Sequence, residues 1–247
     1  MAVLRRSFLL SSALAFAAPP GCNASSGAQR GRLTVRRVKP SEAIEPGLHS
    51  LGLAPERDGL LYVPPSYSPR ERMPLIVFLH GAGGTAQRAI HPMQPLADKY
   101  GFLVLAPDSR GRTWDAILGT LGPDVAFLDL ALEWAFRRCN VNYSRVAVSG
   151  FSDGASYALT LGVVNGTLFS HAIAFSPCFL NSPDRSGLPA IFISHGTRDE
   201  VLPIKVCSRR IVPQLRDAGY SVNYVEFDGP HKAPSDIRER AVKWFMD

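Results

Sequence analysis

Only four cysteines stand among the 247 residues, no two of them spaced C-x-x-C and none with a histidine at metal-ligand spacing, so the common zinc and iron–sulfur frameworks are excluded and neither metal nor cofactor is expected. Acids are missing from the start of the chain: Arg5, Arg6, Arg30, Arg32, Arg36, Arg37 and Lys39 all precede the first of them, Glu42. The formal charge of 27 − 21 = +6 therefore divides into +7 before Glu42 and 20 − 21 = −1 after it. With no basic stripe interleaved with aromatics in the body, nucleic acid is not an expected partner. Long apolar runs are also lacking. The longest, Phe8 to Ala18, is too short to cross a bilayer, so no membrane span is expected.

That run belongs to a leader. Arg5-Arg6, the apolar stretch and a small-x-small site at Ala15-Phe16-Ala17 predict a signal peptide over residues 1–17, and paired arginine followed by Ser7-Phe8-Leu9 resembles the twin-arginine type. Export is the expected fate, periplasmic, secreted or membrane-anchored; an organelle transit peptide is the alternative, since the segment is rich in Arg and Ser and free of acids. Cys22 is a candidate lipid-attachment residue, although Pro19 and Pro20 fit that motif badly. Residues 18–32, rich in Ser, Asn, Gly and Pro, read as a disordered linker. Of the remaining cysteines, Cys139 reads as a buried thiol, while a Cys178–Cys207 bridge and free thiols are both open.

Residues 33–247 are enough for one well-buried domain. Leu33 to Val38 and Gly59 to Val63 predict short antiparallel edge strands. Pro74 to Leu79, Phe102 to Ala106, Val146 to Ser149, Ala172 to Phe175 and Ala190 to Ile193 are apolar runs of the kind a buried parallel sheet contains, and Val222 to Phe227 reads as a further strand. Helical stretches separate them, including Thr85 to Tyr100 and a helix from Pro123 whose polar positions Asp129, Glu133 and Arg137 recur every four residues. Alternation of this kind predicts an α/β fold with a mostly parallel sheet and helices on both faces. About a dozen residues join Phe175 to Ala190, which leaves no room for a cap domain over the sheet.

In the middle of this pattern lies Gly150-Phe151-Ser152-Asp153-Gly154, directly after a strand and directly before a helix. This context turns G-x-S-x-G into a nucleophile elbow, a turn tight enough to force the serine into a strained conformation with its hydroxyl exposed. Such a serine needs a base and an acid to orient the base, placed after it in the order acid, then histidine. His171 and His195 come ahead of any suitable acid, which leaves His231. Asp199 is the preferred acid, with Glu200, Asp228 and Asp153 as rivals, and His195 reads as support. The loop His80-Gly81-Ala82-Gly83-Gly84 at the end of a central strand offers oxyanion donors. Ala82 is preferred and Gly83 second, joined by the N–H of Asp153, while His80 reads as a loop-orienting group. Trp114 is the candidate wall of the substrate cleft, the alternative being an anchor for its loop.

With these motifs, Gly196-Thr197-Arg198-Asp199 and Gly229-Pro230-His231 included, the chain resembles the α/β-hydrolase superfamily, in particular its lidless phospholipase/carboxylesterase/thioesterase group and the relatives similar to polyhydroxybutyrate depolymerases and feruloyl esterases. The resemblance runs from about Gly59 to Asp247. It implies a cofactor-free serine esterase on small or medium acyl esters, with catalytic Ser152, Asp199 and His231. Thioesterase, peptidase and polyester or feruloyl esterase activities are the rival expectations, and a ligand-binding protein without turnover is the most distant one. Relatives of the last two esterase kinds often carry disulfides at the active site, for which no counterpart beside Ser152 or His231 is expected here.

Overall fold

The computed structural model describes residues 31–181 and 184–247. The leader, Cys22 and nearly all of the linker lie outside them. Eight strands form one sheet: β1 (Gly47–Ser50), β2 (Gly59–Val63), β3 (Met73–Leu79), β4 (Leu103–Pro107), β5 (Val141–Phe151), β6 (His171–Phe175), β7 (Ala190–Gly196) and β8 (Val222–Phe227), in the spatial order β1-β2-β4-β3-β5-β6-β7-β8. β1 and β2 pair antiparallel at one edge, β2 joins β4 antiparallel, and every later pairing is parallel. Among the described residues six α-helices cover it, α1 (Ala86–Ile90), α2 (Gln94–Tyr100), α3 (Pro123–Arg138), α4 (Asp153–Val164), α5 (Ser208–Asp217) and α6 (Ser235–Met246).

The two-residue period of a strand explains the layering. In β3, Leu75, Val77 and Leu79 point into the core beneath α3, α4 and α5, whereas Ile76 and Phe78 point into the one beneath α1, α2 and α6; β4 divides in the same way. Because both faces are covered, the central strands read as unbroken apolar runs. The described part of the connection from β6 to β7 holds no helix or strand, and among the described residues no helix is long and apolar enough to cross a membrane.

Two expectations change. The first strand is Gly47–Ser50, not Leu33 to Val38. The backbone donors of the earlier segment are taken by side chains instead of a ladder: Leu33 N–H donates to Asn165 Oδ1 (2.8 Å), those of Thr34 and Val35 to the Asp129 carboxylate, and that of Val38 to the Tyr143 hydroxyl. The helix expected over Thr85 to Tyr100 is broken into α1, a 3₁₀ turn at His91–Met93 and α2. Pro92 and Pro95 cause the break, since neither can donate an N–H to the preceding turn. The cysteine question also closes, with Cys178 and Cys207 bridged and Cys139 a buried free thiol.

Candidate active site

Ser152 sits at the junction of β5 and α4 with φ 58° and ψ −121°, a left-handed φ that a residue with a Cβ adopts at a cost of about 1–3 kcal/mol. The flanking glycines make the turn feasible. A Cβ on Gly150 would lie 2.3 Å from the carbonyl oxygen of Gly154, and one on Gly154 would lie 2.3 Å from that of Leu79. The Ser152 N–H is fastened to Phe175 O (2.9 Å) at the end of the adjacent strand β6. The hydroxyl is thereby held over the carboxyl ends of the central strands, where open α/β sheets gather their sites.

His231 lies in the loop between β8 and α6. Its Nε2 is 2.9 Å from Ser152 Oγ, and its Nδ1 is 2.6 Å from Asp199 Oδ2. A carboxylate can only accept, so Nδ1 carries the proton and the Nε2 lone pair faces the hydroxyl. Phe151, the residue before the serine, supports the ring from the side, with centroids 4.8 Å apart. The other Asp199 oxygen accepts from the N–H groups of Val201 (3.0 Å) and Leu202 (2.8 Å). Burial works to raise the pKa of Asp199, but the Leu202 hydrogen bond and the adjoining His231 and His195 outweigh it, and the net direction is below the ordinary carboxylate value. The rival acids stand elsewhere. Asp228 pairs with Arg198 in solvent, Glu200 is exposed, and Asp153 accepts from Thr113 Oγ1 (2.6 Å).

His195 and His80 are both buried beneath the site. Nδ1 of His195 meets Ser208 Oγ at 2.6 Å, while Nε2 faces Leu202 O (2.8 Å) and Asp199 Oδ2 (3.2 Å). It braces the acid's loop. Ser208 is a partner that no motif or spacing signals, since only the docking of α5 beneath β7 brings it there. The Cys178–Cys207 bridge ends next to it, on the acid's side of the site. His80 donates from Nδ1 to Gly81 O (2.7 Å) and accepts at Nε2 from Ser109 N–H (3.1 Å), which fixes the glycine loop. Burial lowers the pKa of both imidazoles, so both are neutral braces. His171 is remote, edge-on to Trp244 and Phe245.

The glycine loop passes so close that a Cβ on Gly81 would lie 3.3 Å from Ser152 Cβ. Gly83 is not free to serve as a donor, because its N–H is spent on Arg112 O (2.8 Å), and that of Gly84 on Gly81 O. The N–H groups of Ala82 and Asp153 have no acceptor among the described residues. Trp114 does not line the cleft. It is completely buried, its Nε1–H donates to His80 O (2.8 Å), and its ring stacks on Tyr157 at 5.2 Å, so it anchors its loop. A cleft of about 390 Å³ opens instead beside Gly81, Ala82, Phe151 and His231. Among the described residues no three His, Cys, Asp or Glu side chains are grouped to hold a metal.

The family model "Esterase PHB depolymerase" matches residues 58–180 and "Phospholipase/Carboxylesterase" matches residues 128–241. The fold of Thermogutta terrifontis esterase 2 superposes with a TM-score of 0.63 at 20% identity, over 82% of this chain and 93% of that one. The chain has the α/β-hydrolase fold. A ferulic acid esterase from Anaeromyces mucronatus superposes on this chain with a TM-score of 0.61 at 16% identity, over 87% of this chain and 97% of that one. In sequence, this chain is 30% identical to a probable acetylxylan esterase A of Aspergillus fumigatus over 51% of its own length. It spans 37% of the length of that relative.

Proposed function

We propose that this protein of α/β-hydrolase fold is a serine carboxylesterase that works through an acyl-enzyme on small or medium acyl esters. The reading rests above all on the unbroken line from Ser152 Oγ through the His231 imidazole to Asp199, 2.9 Å and 2.6 Å long. The carboxylesterase and depolymerase family matches, and relatives named for acetylxylan and ferulic acid, support an ester as the substrate. Among the described residues no cap stands over β6 and β7, so an ester bonded to a bulky alcohol can reach the serine.

In this mechanism Ser152 Oγ forms a bond to the ester carbonyl carbon while its proton passes to His231 Nε2, and Asp199 stabilises the imidazolium. The N–H groups of Ala82 and Asp153, the latter at the amino end of α4, hold the oxyanion. Collapse breaks the bond to the alcohol, which leaves with the proton from Nε2. Water then attacks the acyl-enzyme by the same proton path, releasing the acid and restoring Ser152. Residues 1–17 act as an export leader in this proposal, and the domain works outside the cytoplasm.

A fluorophosphonate probe should label Ser152 and no other residue, and Ser152→Ala should abolish both labelling and hydrolysis of p-nitrophenyl acetate while the protein remains folded by circular dichroism. Retention of the esterase rate by that variant would overturn the assignment.

A further inference from the structure

The cleft beside Gly81, Phe151 and His231 carries charge of one sign. Arg88 from α1, Lys232 from the loop of His231 and Arg238 from α6 all line it, and no acid does. This is not a general property of the surface, for the chain after Lys39 sums to −1. Several cations elsewhere do have carboxylate partners: Lys99 meets Glu239 at 2.8 Å, Arg209 meets Glu226 at 2.7 Å and Arg137 meets Glu133 at 2.6 Å. Arg88, Lys232 and Arg238 have no carboxylate partner among the described residues. Of the acids close in sequence, Glu239 pairs with Lys99 and Asp228 with Arg198, while Asp236 lines a different hollow but is near enough to act on Arg238.

Arg238 is the most enclosed of the three. One of its terminal nitrogens donates to Ala233 O, which ties α6 to the loop that carries His231, while its buried Nε has no partner among the described residues. A guanidinium in that position leaves donors for an incoming anion and has already lost part of its hydration, so an anion there meets less screening than at an open surface. Phe78, Ala89, Pro92 and Phe151 provide the apolar remainder of the wall.

Resting on the esterase reading, we infer that the preferred substrates are esters carrying a carboxylate, which Arg88, Lys232 and Arg238 hold while the ester carbonyl faces Ser152. The charge can sit on the acyl half or on the alcohol half, and two matched pairs of substrates separate these sources. p-Nitrophenyl hemiglutarate against p-nitrophenyl methyl glutarate reports the acyl half. p-Acetoxybenzoate against its methyl ester reports the alcohol half. Each ratio of kcat/KM is compared between the wild type and Arg88→Gln/Lys232→Gln, so that the intrinsic reactivity of the substrates cancels. Arg238 is left intact because it also holds the His231 loop.

In one of the two pairs the double variant should lose about tenfold of the preference for the charged member, mainly through KM, and added salt should reduce the wild-type preference in the same direction. The neutral members should be hydrolysed by both proteins at rates within about twofold of each other. Ratios unchanged by the double substitution in both pairs would overturn the inference. The esterase reading fails separately, as absence of turnover on all four esters and of fluorophosphonate labelling. In that event calorimetry of glutarate against glutaramide on the Ser152→Ala protein still decides the anion site. Glutarate should bind, and bind about tenfold more weakly once Arg88 and Lys232 are also changed; equal binding of the two compounds would sink it.

Discussion

Two buried carboxylates in this molecule are shifted in opposite directions. Asp199, in the loop after β7, is 5% exposed, and Asp124, in the first turn of α3, is 1% exposed. Each accepts two backbone N–H bonds, Asp199 from Val201 and Leu202 and Asp124 from Arg110 and Asp115. Burial raises both. Yet Asp199 ends below its ordinary value, whereas Asp124 is raised to about 6, its hydrogen bonds to Arg110 and Asp115 notwithstanding. The difference lies in the neighbours. Two imidazoles flank Asp199, while Asp124 faces the Asp115 carboxylate, whose Oδ2 accepts the Asp124 N–H at 3.0 Å. Burial is the largest influence on each acid; at Asp199 the hydrogen bonds from Leu202 and His231 lead the influences that overcome it, and at Asp124 the bonds from Arg110 and Asp115 do not. One region therefore keeps an anion ready to face a forming imidazolium, and the other pins the loop that Trp114 anchors.

The comparison breaks most visibly at Asp199. Asp199→Asn keeps the volume but removes the charge and the certainty that Nδ1 of His231 holds the proton. We expect kcat/KM on p-nitrophenyl acetate to fall by roughly 10⁴-fold with the fold retained. A loss below tenfold would show that His231 is oriented by something else. The same loop is braced through Ser208 by the Cys178–Cys207 bridge, which closes a loop with a sequence separation of 29. Replacing both cysteines by serine should lower unfolding stability by about 2–4 kcal/mol in urea titrations, with kcat much less affected.

Asp124→Asn sharpens the contrast. An acid whose pKa is raised by folding binds its proton more tightly in the native state, so its contribution to stability declines as pH climbs from the ordinary 3.8 to about 6 and is flat above. Asp199 behaves in the opposite way, since its contribution is present above the unfolded pKa and is lost as pH falls through its lower native one. Urea midpoints measured across that window should fall with rising pH in the wild type more steeply than in Asp124→Asn, while esterase activity at neutral pH stays within a few-fold. Parallel pH profiles for the two proteins would mean that Asp124 is not held protonated.

These two carboxylates also show what the sequence could and could not tell. Asp199 was legible because a chemical role demanded an acid between Ser152 and His231, and His195-Gly196-Thr197 placed one at the end of a recognisable strand. The pairing of Asp115 with Asp124 was not, because a reciprocal backbone cap between a short 3₁₀ turn and the start of a helix leaves no periodic trace. The strands β3 to β7 were readable from their apolar runs, and the elbow from its glycines. The edge strand was misplaced to Leu33 to Val38 because β-favouring residues look the same whether their N–H groups meet a neighbouring strand or the side chains of Asn165, Asp129 and Tyr143. Gly83 and Trp114 failed as site residues for a related reason. What an N–H or an indole bonds to is a tertiary fact, and Arg112 O and His80 O were already waiting for them.

The smallest effect falls on the hydrogen bond behind the acid's loop. Ser208→Ala removes the hydroxyl that meets His195 Nδ1 at 2.6 Å in a place without exposure to solvent, so the imidazole loses that partner; the expected cost is about 1 kcal/mol of stability. Nε2 of His195 still faces Leu202 O and Asp199, so the acid keeps its neighbours and kcat should drop by no more than a few-fold. If Ser208 merely fills space, the thermal midpoint alone will move. If it holds His195 in the tautomer that faces Asp199, the acid limb of the kcat/KM profile will shift as well, and Ser208→Thr, which restores a hydroxyl, will return it toward the wild type. A shift in the profile that Ser208→Thr does not reverse would assign the effect to packing.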